Sequence, residues 1–125
     1  MAGCVASGGH TEMTNGEINS GDAHCIVLTT TASEAEADAL ARRIVEARLG
    51  ACVQIQAIKS IYRWKGEVCA EHEWRLSVKT REALFPELAR FIAAHHAYET
   101  PEIVQVPITA GSAAYLRWVD EETRN

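Results

Sequence analysis

Two adjacent histidines, His95 and His96, stand where a helical pattern runs into Pro101 in the stretch FIAAHHAYETPEIVQVPI. Imidazole nitrogen is a common ligand of copper and zinc, so the pair is a candidate metal site. Successive residues of a regular helix point ~100° apart, so both can bind one ion only if the helix ends between them or two subunits contribute ligands. Protonated imidazole is also favoured at a helix C-terminus by electrostatics alone. The pair is therefore interpreted in two ways, as metal ligands or as the polar end of a helix.

The remaining chemistry-bearing residues form no recognisable catalytic pattern. The chain has no G-x-S-x-G elbow, no glycine-rich phosphate loop and no H-E-x-x-H, so we expect it not to be an enzyme. Its cysteines make no C-x-x-C pair, which excludes a zinc knuckle and a thioredoxin-type motif and predicts free thiols in a reducing compartment. They are Cys4, Cys25, Cys52 and Cys69.

Length and charge narrow the class of protein. A chain of 125 residues predicts one domain, here residues 23–125 behind a flexible tail over residues 1–22 that is rich in Gly, Ser, Thr and Asn. The net charge of -5 argues against a nucleic-acid partner. No apolar run approaches the ~20 residues that span a bilayer, and the N-terminus lacks the features of a secretory signal. We expect a cytoplasmic protein without a membrane partner.

The apolar periodicity predicts the element order β-α-β-β-α-β-α. Two βαβ halves around a central hairpin make an α+β, ferredoxin-like sandwich, whose antiparallel sheet is covered by helices on one face, with an extended central β-hairpin and a C-terminal helix. The first strand is predicted over 24–31, the first helix begins with a Ser33–Glu36 capping box and stops at Gly50, and the second helix starts at Thr80. The buried stripe of the first helix is predicted to be Ala37, Leu40, Ala41, Ile44 and Val45.

The central hairpin is the least usual element. Its two arms of about 13–15 residues flank a tight turn at Lys65-Gly66, with a bulge expected near QAIKS and a packed His72 on the apolar face of the second arm. Usual strands have ~5–6 residues, and a two-stranded ribbon alone is marginally stable in water. The distal half therefore needs a partner, and we expect another copy of the chain to supply it. Its apolar residues are Ile61, Tyr62, Trp64 and Trp74.

Three blocks of sequence closely resemble the CutA family of divalent-cation tolerance proteins. They are ACVQI…SIYRWKGEV, EHEWRLSVKT and HHAYETPEIVQVPI…G…YLRWV, and the resemblance runs from about Ile26 to Val119. It implies a homotrimer with a ferredoxin-like fold, in which the long hairpins pair between subunits. It also implies a link to Cu²⁺ or another divalent cation, and no organic cofactor.

The resemblance also assigns candidate ligands residue by residue. His95 and His96 match the paired histidines of the family's helix end, and Cys52 matches a cysteine that recurs after the first helix. Thr29 stands where some members carry a cysteine implicated in copper binding, and Ala97 replaces a usual proline. The implied metal ligands are therefore His95, His96 and Cys52.

A second cluster follows if subunits assemble. Glu73 and Lys79 lie on one face of a strand but ~20 Å apart, so in a trimer Lys79 is placed to meet an acidic residue or Tyr98 from elsewhere. The resulting cleft would hold a small anionic or metal-bound ligand, as in a PII-like sensor, or be an interface network in a non-catalytic trimeric scaffold. Its predicted lining is Tyr62, Trp64, Glu73, Lys79, Tyr98 and Glu99.

Overall fold

A computed structural model describes residues 23–125, and the predicted tail over residues 1–22 lies outside them. The element order is the predicted one. The elements are β1 (His24–Thr31), α1 (Glu34–Glu46), β2 (Cys52–Trp64), β3 (Glu67–Arg81), a 3-10 turn (Glu82–Leu84), α2 (Phe85–Ala94), β4 (Val104–Ile108) and α3 (Ala113–Glu122). None of the helices in this part of the chain is long and apolar enough to cross a membrane.

The four strands form an antiparallel sheet in the order β2-β3-β1-β4. Strand β1 lies centrally, with Val27 opposite both Val78 of β3 and Gln105 of β4. Strand β4 is an edge, which suits Pro107 because proline has no N–H to donate to a further strand. This topology confirms the ferredoxin-like fold.

Helices α1 and α2 cover one face of the sheet, called here the helix face. Because alternate strand residues point to opposite sides, the helix face carries every second residue of β1 and of the inner half of β3. The buried core there consists mainly of Cys25, Val27, Leu76 and Val78 from the sheet, and Ala37, Leu40, Ala41, Ile44, Leu88 and Ile92 from the helices. Val45, predicted in the buried stripe, is exposed instead.

The start of α1 was predicted correctly, but its end was not. The Ser33 hydroxyl accepts a hydrogen bond from the Glu36 backbone N–H at 3.1 Å, as a capping residue does. The helix ends at Glu46, and Arg48 rather than Gly50 adopts a left-handed conformation with φ of 60°. The expected stop at Gly50 was wrong because that glycine serves close packing and not the helix end.

The start of the second helix also lies later than predicted. Strand β3 continues through Thr80, which is fully buried and donates its hydroxyl to the Leu49 carbonyl oxygen at 2.7 Å. A single 3-10 turn follows before α2 begins at Phe85, with Pro86 in its first turn. Thr80 is therefore a strand residue whose hydroxyl satisfies a loop carbonyl, and the prediction of a helix start there was wrong.

The hairpin of β2 and β3 is continuous along its whole length. Pairing runs without interruption from Cys52 opposite Lys79 to Trp64 opposite Glu67, so the bulge expected near QAIKS is absent. At the tip, Lys65 and Gly66 have φ of 50° and 85°. Two consecutive positive φ angles are typical of the two-residue turns that follow the twist of a hairpin. The predicted tight turn is confirmed.

The outer half of the hairpin extends beyond β1, whose last residue Thr31 lies opposite Trp74. Among residues 23–125, neither α1 nor α2 covers the helix face there, and Ile61 is 68% exposed and Val68 70% exposed. His72 is exposed as well, so the prediction of a packed imidazole was wrong. The alternation of β3 was assigned correctly, but the helices do not reach far enough to cover its outer apolar residues.

Helix α3 contacts the opposite face of the sheet. His24 and Lys79 point to that side, since they alternate with the core residues Cys25 and Val78. The His24 ring nitrogen Nε2 lies 2.8 Å from an Asp120 carboxylate oxygen, and the Lys79 ammonium lies 5.6 Å from the Tyr115 ring. The predicted one-sided cover thus holds for α1 and α2, and α3 adds cover to the second face.

Candidate functional site

The paired histidines follow directly on the end of α2. The helix ends at Ala94, and His95 is its C-terminal capping residue with φ of -111° and ψ of 13°. Its backbone N–H is shared between the carbonyl oxygens of Phe91 at 3.2 Å and Ile92 at 3.1 Å. The helix thus ends before both histidines and not between them, so regular helical geometry no longer holds the two rings ~100° apart.

His96 uses both ring nitrogens to hold the polypeptide. Nε2–H donates to the carbonyl oxygen of Thr30 at 2.7 Å, and Nδ1 accepts from the backbone N–H of Tyr98 at 3.1 Å. These partners define the neutral ring with its proton on Nε2. His96 therefore ties the loop after α2 to the end of β1, and it can bind a metal only by giving up one of these bonds.

His95 leaves one ring nitrogen free. Its Nδ1–H donates to the carbonyl oxygen of Phe91 at 2.9 Å, and the ring packs on the Phe91 ring at a centroid distance of 4.3 Å. Nε2 makes no hydrogen bond to residues 23–125, and the side chain is exposed. A neutral imidazole held through Nδ1 presents the Nε2 lone pair outward, the arrangement that metal-binding histidines use.

Cys52 lies away from the two histidines within one chain. It opens β2 opposite Lys79, which in turn pairs with Ile26. The contact of His96 is with Thr30, four residues or ~13 Å further along β1. Residues 23–125 contain no group of three or more His, Cys, Asp or Glu side chains placed to hold one ion. The three-residue metal site remains a prediction.

The cysteines of the described region are free thiols, as expected. Cys25 is fully buried, and its burial, together with the nearby Glu82 carboxylate, raises its pKa to about 12. Since the thiolate is the reactive form, this thiol is protected from oxidation and metal binding. Cys52 and Cys69 are only half-buried. Cys4 lies outside the described residues.

A cluster of tyrosine and carboxylate side chains occupies the face opposite the helix face, near the middle of β3. Glu73 is its centre: it is only 1% exposed, and its Oε2 accepts from the Tyr98 hydroxyl at 2.7 Å and from the Thr30 hydroxyl at 3.3 Å. Its Oε1 is buried without a hydrogen-bond partner among residues 23–125. A buried carboxylate oxygen with no donor is costly, so this position calls for a donor from elsewhere.

A second pair extends the cluster along the hairpin. The Tyr62 hydroxyl donates to Glu71 at 2.5 Å. Burial is the largest cause that raises the pKa of Tyr62, and the bond to Glu71 adds to it. Burial likewise raises the pKa of Tyr98, with its bond to Glu73 next. Both phenols therefore act as hydrogen-bond donors well above neutral pH.

One more buried carboxylate borders this cluster. Glu102 is almost fully buried, and desolvation raises its pKa, which the Arg75 charge opposes and the Glu73 charge reinforces. Several acidic groups thus lie near one another under partial cover. The negative charges of such carboxylates repel one another, and a bound cation or hydrogen-bond donor would reduce this repulsion.

The predicted cleft residues are brought together only in part. Tyr62, Glu73 and Tyr98 meet in the cluster. Trp64 and Glu99 lie at the hairpin tip, where the Lys65 ammonium is 5.5 Å from the Trp64 ring and 3.9 Å from Glu99. Lys79 lies towards the other end of the hairpin, beside α3, so within one chain it does not meet Tyr98.

Sequence reasoning missed Glu71, Thr30 and Glu102. Glu71 could have been predicted. The two-residue turn places Tyr62 opposite Cys69, and because side chains alternate between the two faces of a strand, Glu71 lies on the same face as Cys69 and Tyr62. Thr30 and Glu102 depend on β1 pairing with β3 and on the path of the loop before β4. No local pattern carries that long-range information.

Raised tyrosine pKa values make a direct prediction for alkaline pH. In the folded protein Tyr62 and Tyr98 should stay protonated above the ordinary tyrosine pKa of ~10. A group whose pKa is higher when folded stabilises the fold fully below its unfolded pKa, and this stabilisation is lost as pH rises through the folded pKa. Stability should therefore fall above pH ~10, with these two phenols ionising as the chain unfolds.

The measurement is tyrosinate absorbance against pH, with circular dichroism recorded on the same samples. Tyr98→Phe should remove one of the late-ionising groups and leave the remaining tyrosines in place. Early ionisation of all three tyrosines in a chain that still shows its folded spectrum would contradict the buried hydrogen bonds to Glu71 and Glu73.

The fold described above indicates the class of protein to which this chain belongs. A four-stranded antiparallel sheet in the order β2-β3-β1-β4 with two helices on one face is ferredoxin-like, and here the β2–β3 hairpin extends beyond the rest of the sheet. A sequence profile described as "CutA1 divalent ion tolerance protein" matches residues 25–122. The chain belongs to the CutA1 divalent ion tolerance protein family.

Individual relatives agree with the family. The divalent-cation tolerance protein CutA of Thermus thermophilus is 46% identical over 99 residues, covering 78% of this chain and 96% of that one. Among solved structures, the periplasmic divalent cation tolerance protein CutA of Archaeoglobus fulgidus has a TM-score of 0.78 at 39% identity, over 79% of this chain and 97% of that one. CutA1 of Oryza sativa has a TM-score of 0.80 at 34% identity, over 85% and 98%.

Proposed function

We propose that this chain is a non-enzymatic, cytoplasmic, homotrimeric protein that binds copper or another divalent ion in divalent-cation tolerance. Membership of the CutA1 family supports the link to divalent cations. The observation that carries metal binding is the exposed His95 ring at the end of α2, whose Nε2 makes no hydrogen bond to residues 23–125. The sequence contains no G-x-S-x-G elbow, glycine-rich phosphate loop or H-E-x-x-H, and we therefore propose a binding role.

Assembly is supported by the outer half of the hairpin. Ile61 and Val68 expose apolar side chains there, and β2 is an edge strand of 13 residues that pairs on one side only among the strands of residues 23–125. Long, flat, apolar edges are normally covered in native proteins. A neighbouring copy that pairs with β2 satisfies the backbone and buries both side chains, and a closed ring of three leaves no such edge open.

The donor set fits a metal ion only in part within one chain. His95 offers a free imidazole nitrogen, whereas His96 must release Thr30 or Tyr98 before it can bind. Imidazole and thiolate suit copper and zinc. A complete coordination sphere therefore needs ligands from a neighbouring chain, which is why we propose metal binding and trimer formation together. Cys52 is a candidate for such a contribution.

Titration of Zn(II) and Cu(II) into the His95→Ala and His96→Ala variants separates the two roles. His95→Ala should weaken binding at least about tenfold, since it removes the free ligand. His96→Ala should lower stability through lost loop contacts. His10→Ala, at a histidine outside the described residues and outside the proposed interface, is the matched control and should bind as the unmodified chain does.

The titration is done anaerobically, since free thiols reduce Cu(II) and imitate binding. Undiminished binding in His95→Ala would show that the helix end is not the metal site. In that case the histidines are only the polar end of a helix.

A second candidate function is a PII-like sensor with a ligand in the inter-subunit cleft. The buried Oε1 of Glu73, which has no partner among the described residues, favours it. Such a ligand should raise the melting temperature, and Glu73→Gln should remove that effect. A small-molecule panel that produces no shift in the unmodified chain would rule against this function.

A further inference from the structure

A cavity of about 210 Å³ opens between α1 and the loop after α2. Helix α1 lines it with Glu36, Ala39, Leu40 and Arg43, which recur at the i, i+3, i+4, i+7 spacing of one helix face. This volume is below the ~300–1,000 Å³ usual for pockets that hold drug-sized ligands. It is therefore suited to a small metabolite rather than to a large cofactor.

Small side chains form part of the cavity wall. Ala32, Ala39 and Ala97 lie on its walls where longer residues would fill the space, and the buried Leu40 forms an apolar base. The His95 ring, held by its bond to the Phe91 carbonyl oxygen, also lines the cavity. The alanine and leucine side chains can contact the body of a ligand without offering it hydrogen bonds.

Arg43 supplies the one cationic group among the lining residues. Its guanidinium makes no hydrogen bond or ion pair with residues 23–125, whereas the adjacent Arg42 is bound to Asp38 at 2.8 Å. A guanidinium has a fork of donors that matches a carboxylate. Glu36 also lines the cavity, but its carboxylate accepts from the Ser33 hydroxyl at the N-terminus of α1, where the helix dipole offsets its charge.

We propose that this cavity binds a small organic carboxylate with an apolar body. The carboxylate pairs with Arg43, and the body packs against Ala39 and Leu40. This cavity shares the His95 ring with the proposed metal site and Tyr98 with the Glu73 cluster, but Arg43, Ala39 and Leu40 belong to neither. Carboxylate binding is therefore measured without metal, so that its outcome is distinguishable from that of metal binding.

The test uses benzoate, with benzamide as its uncharged counterpart of equal shape, titrated calorimetrically into the full chain. Buffers are freed of metal by a chelating resin and contain no other carboxylate. Benzoate should bind saturably, and benzamide at least about tenfold more weakly, because the charge-assisted hydrogen bonds to Arg43 are lost.

Three variants locate the site. Arg43→Gln should weaken benzoate binding about tenfold, and Ala39→Phe should abolish it by filling the cavity. Arg42→Gln removes the same charge one residue away, outside the cavity, and should leave binding unchanged. Arg43 is exposed, so its variant tests the proposal even if Ala39→Phe fails to fold. No benzoate binding, equal binding of benzamide, or equal effects of the two arginine variants would overturn the proposal.

Discussion

Replacing Ile61 and Val68 together by aspartate is expected to convert the assembled protein into monomers. Both side chains are about two-thirds exposed in the single chain, and complete burial of each by a neighbour is worth about 1.5–3 kcal/mol. A trimer contains each position three times, so the change removes a large part of the association energy. It also places charges where a partner would have to desolvate them.

Sedimentation velocity at micromolar concentration measures the result. The control is Ala35→Asp with Ala83→Asp, which adds the same two charges at exposed sites away from the hairpin. We expect the control to keep the mass of the unmodified protein and the hairpin variant to fall to one chain. An unchanged mass in the hairpin variant would show that this surface is not the interface.

Replacing Gly50 by alanine is expected to destabilise the fold by about 3 kcal/mol. A Cβ atom at this position would lie 2.4 Å from Cγ1 of Val78 and 3.0 Å from Cγ2 of Ile44. Both neighbours are fully buried and cannot move aside freely. The loop after α1 therefore approaches β3 so closely that only glycine fits, which is the role that replaces its predicted function as a helix stop.

Urea denaturation compares this variant with Gly111→Ala. At Gly111 a Cβ would meet only the Leu116 side chain, at 3.3 Å, which can yield by a rotamer change. We expect a loss below about 1 kcal/mol there. Equal unfolding midpoints for the two variants would contradict the close packing of Gly50 against Val78.

Local signals predicted most of the fold. The β-branched run of β1, the Ser33 cap of α1 and the Lys65-Gly66 turn each carry their structure in a few adjacent residues, and each is confirmed. Element ends were less certain, because Thr80 has the features of a helix start yet its hydroxyl is used by a distant carbonyl of the 49–51 loop. That bond depends on tertiary contact and not on the neighbouring sequence.

The site was harder to predict than the fold, and β3 shows why. The alternation of apolar and polar residues along β3 was visible in the sequence. The buried face of the strand, however, changes along its length: Leu76 is buried on the helix face, whereas Glu73, closer to the hairpin tip, is buried on the opposite face. The change happens where the helices end and the loop carrying Tyr98 begins to cover the opposite face. The apolar pattern of the sequence therefore predicted a buried His72, which is exposed, and did not predict the burial of Glu73.

The histidine pair shows a similar limit. The two imidazoles are equivalent in the sequence, but they differ in their hydrogen bonds at the end of α2. His96 is hydrogen-bonded through both ring nitrogens, and His95 through Nδ1 alone. This difference depends on the carbonyl of Thr30, which the fold brings to His96 from β1. It is what makes His95 the stronger candidate ligand.

Native mass spectrometry of the intact chain, with and without Zn(II), tests the central claim most directly, because one spectrum reports both subunit number and bound ions. We predict a species of three times the chain mass that takes up a whole number of zinc ions per trimer and loses them in His95→Ala. A monomer, or a trimer whose zinc uptake is unchanged by His95→Ala, would contradict a homotrimeric metal-binding protein built on this helix end.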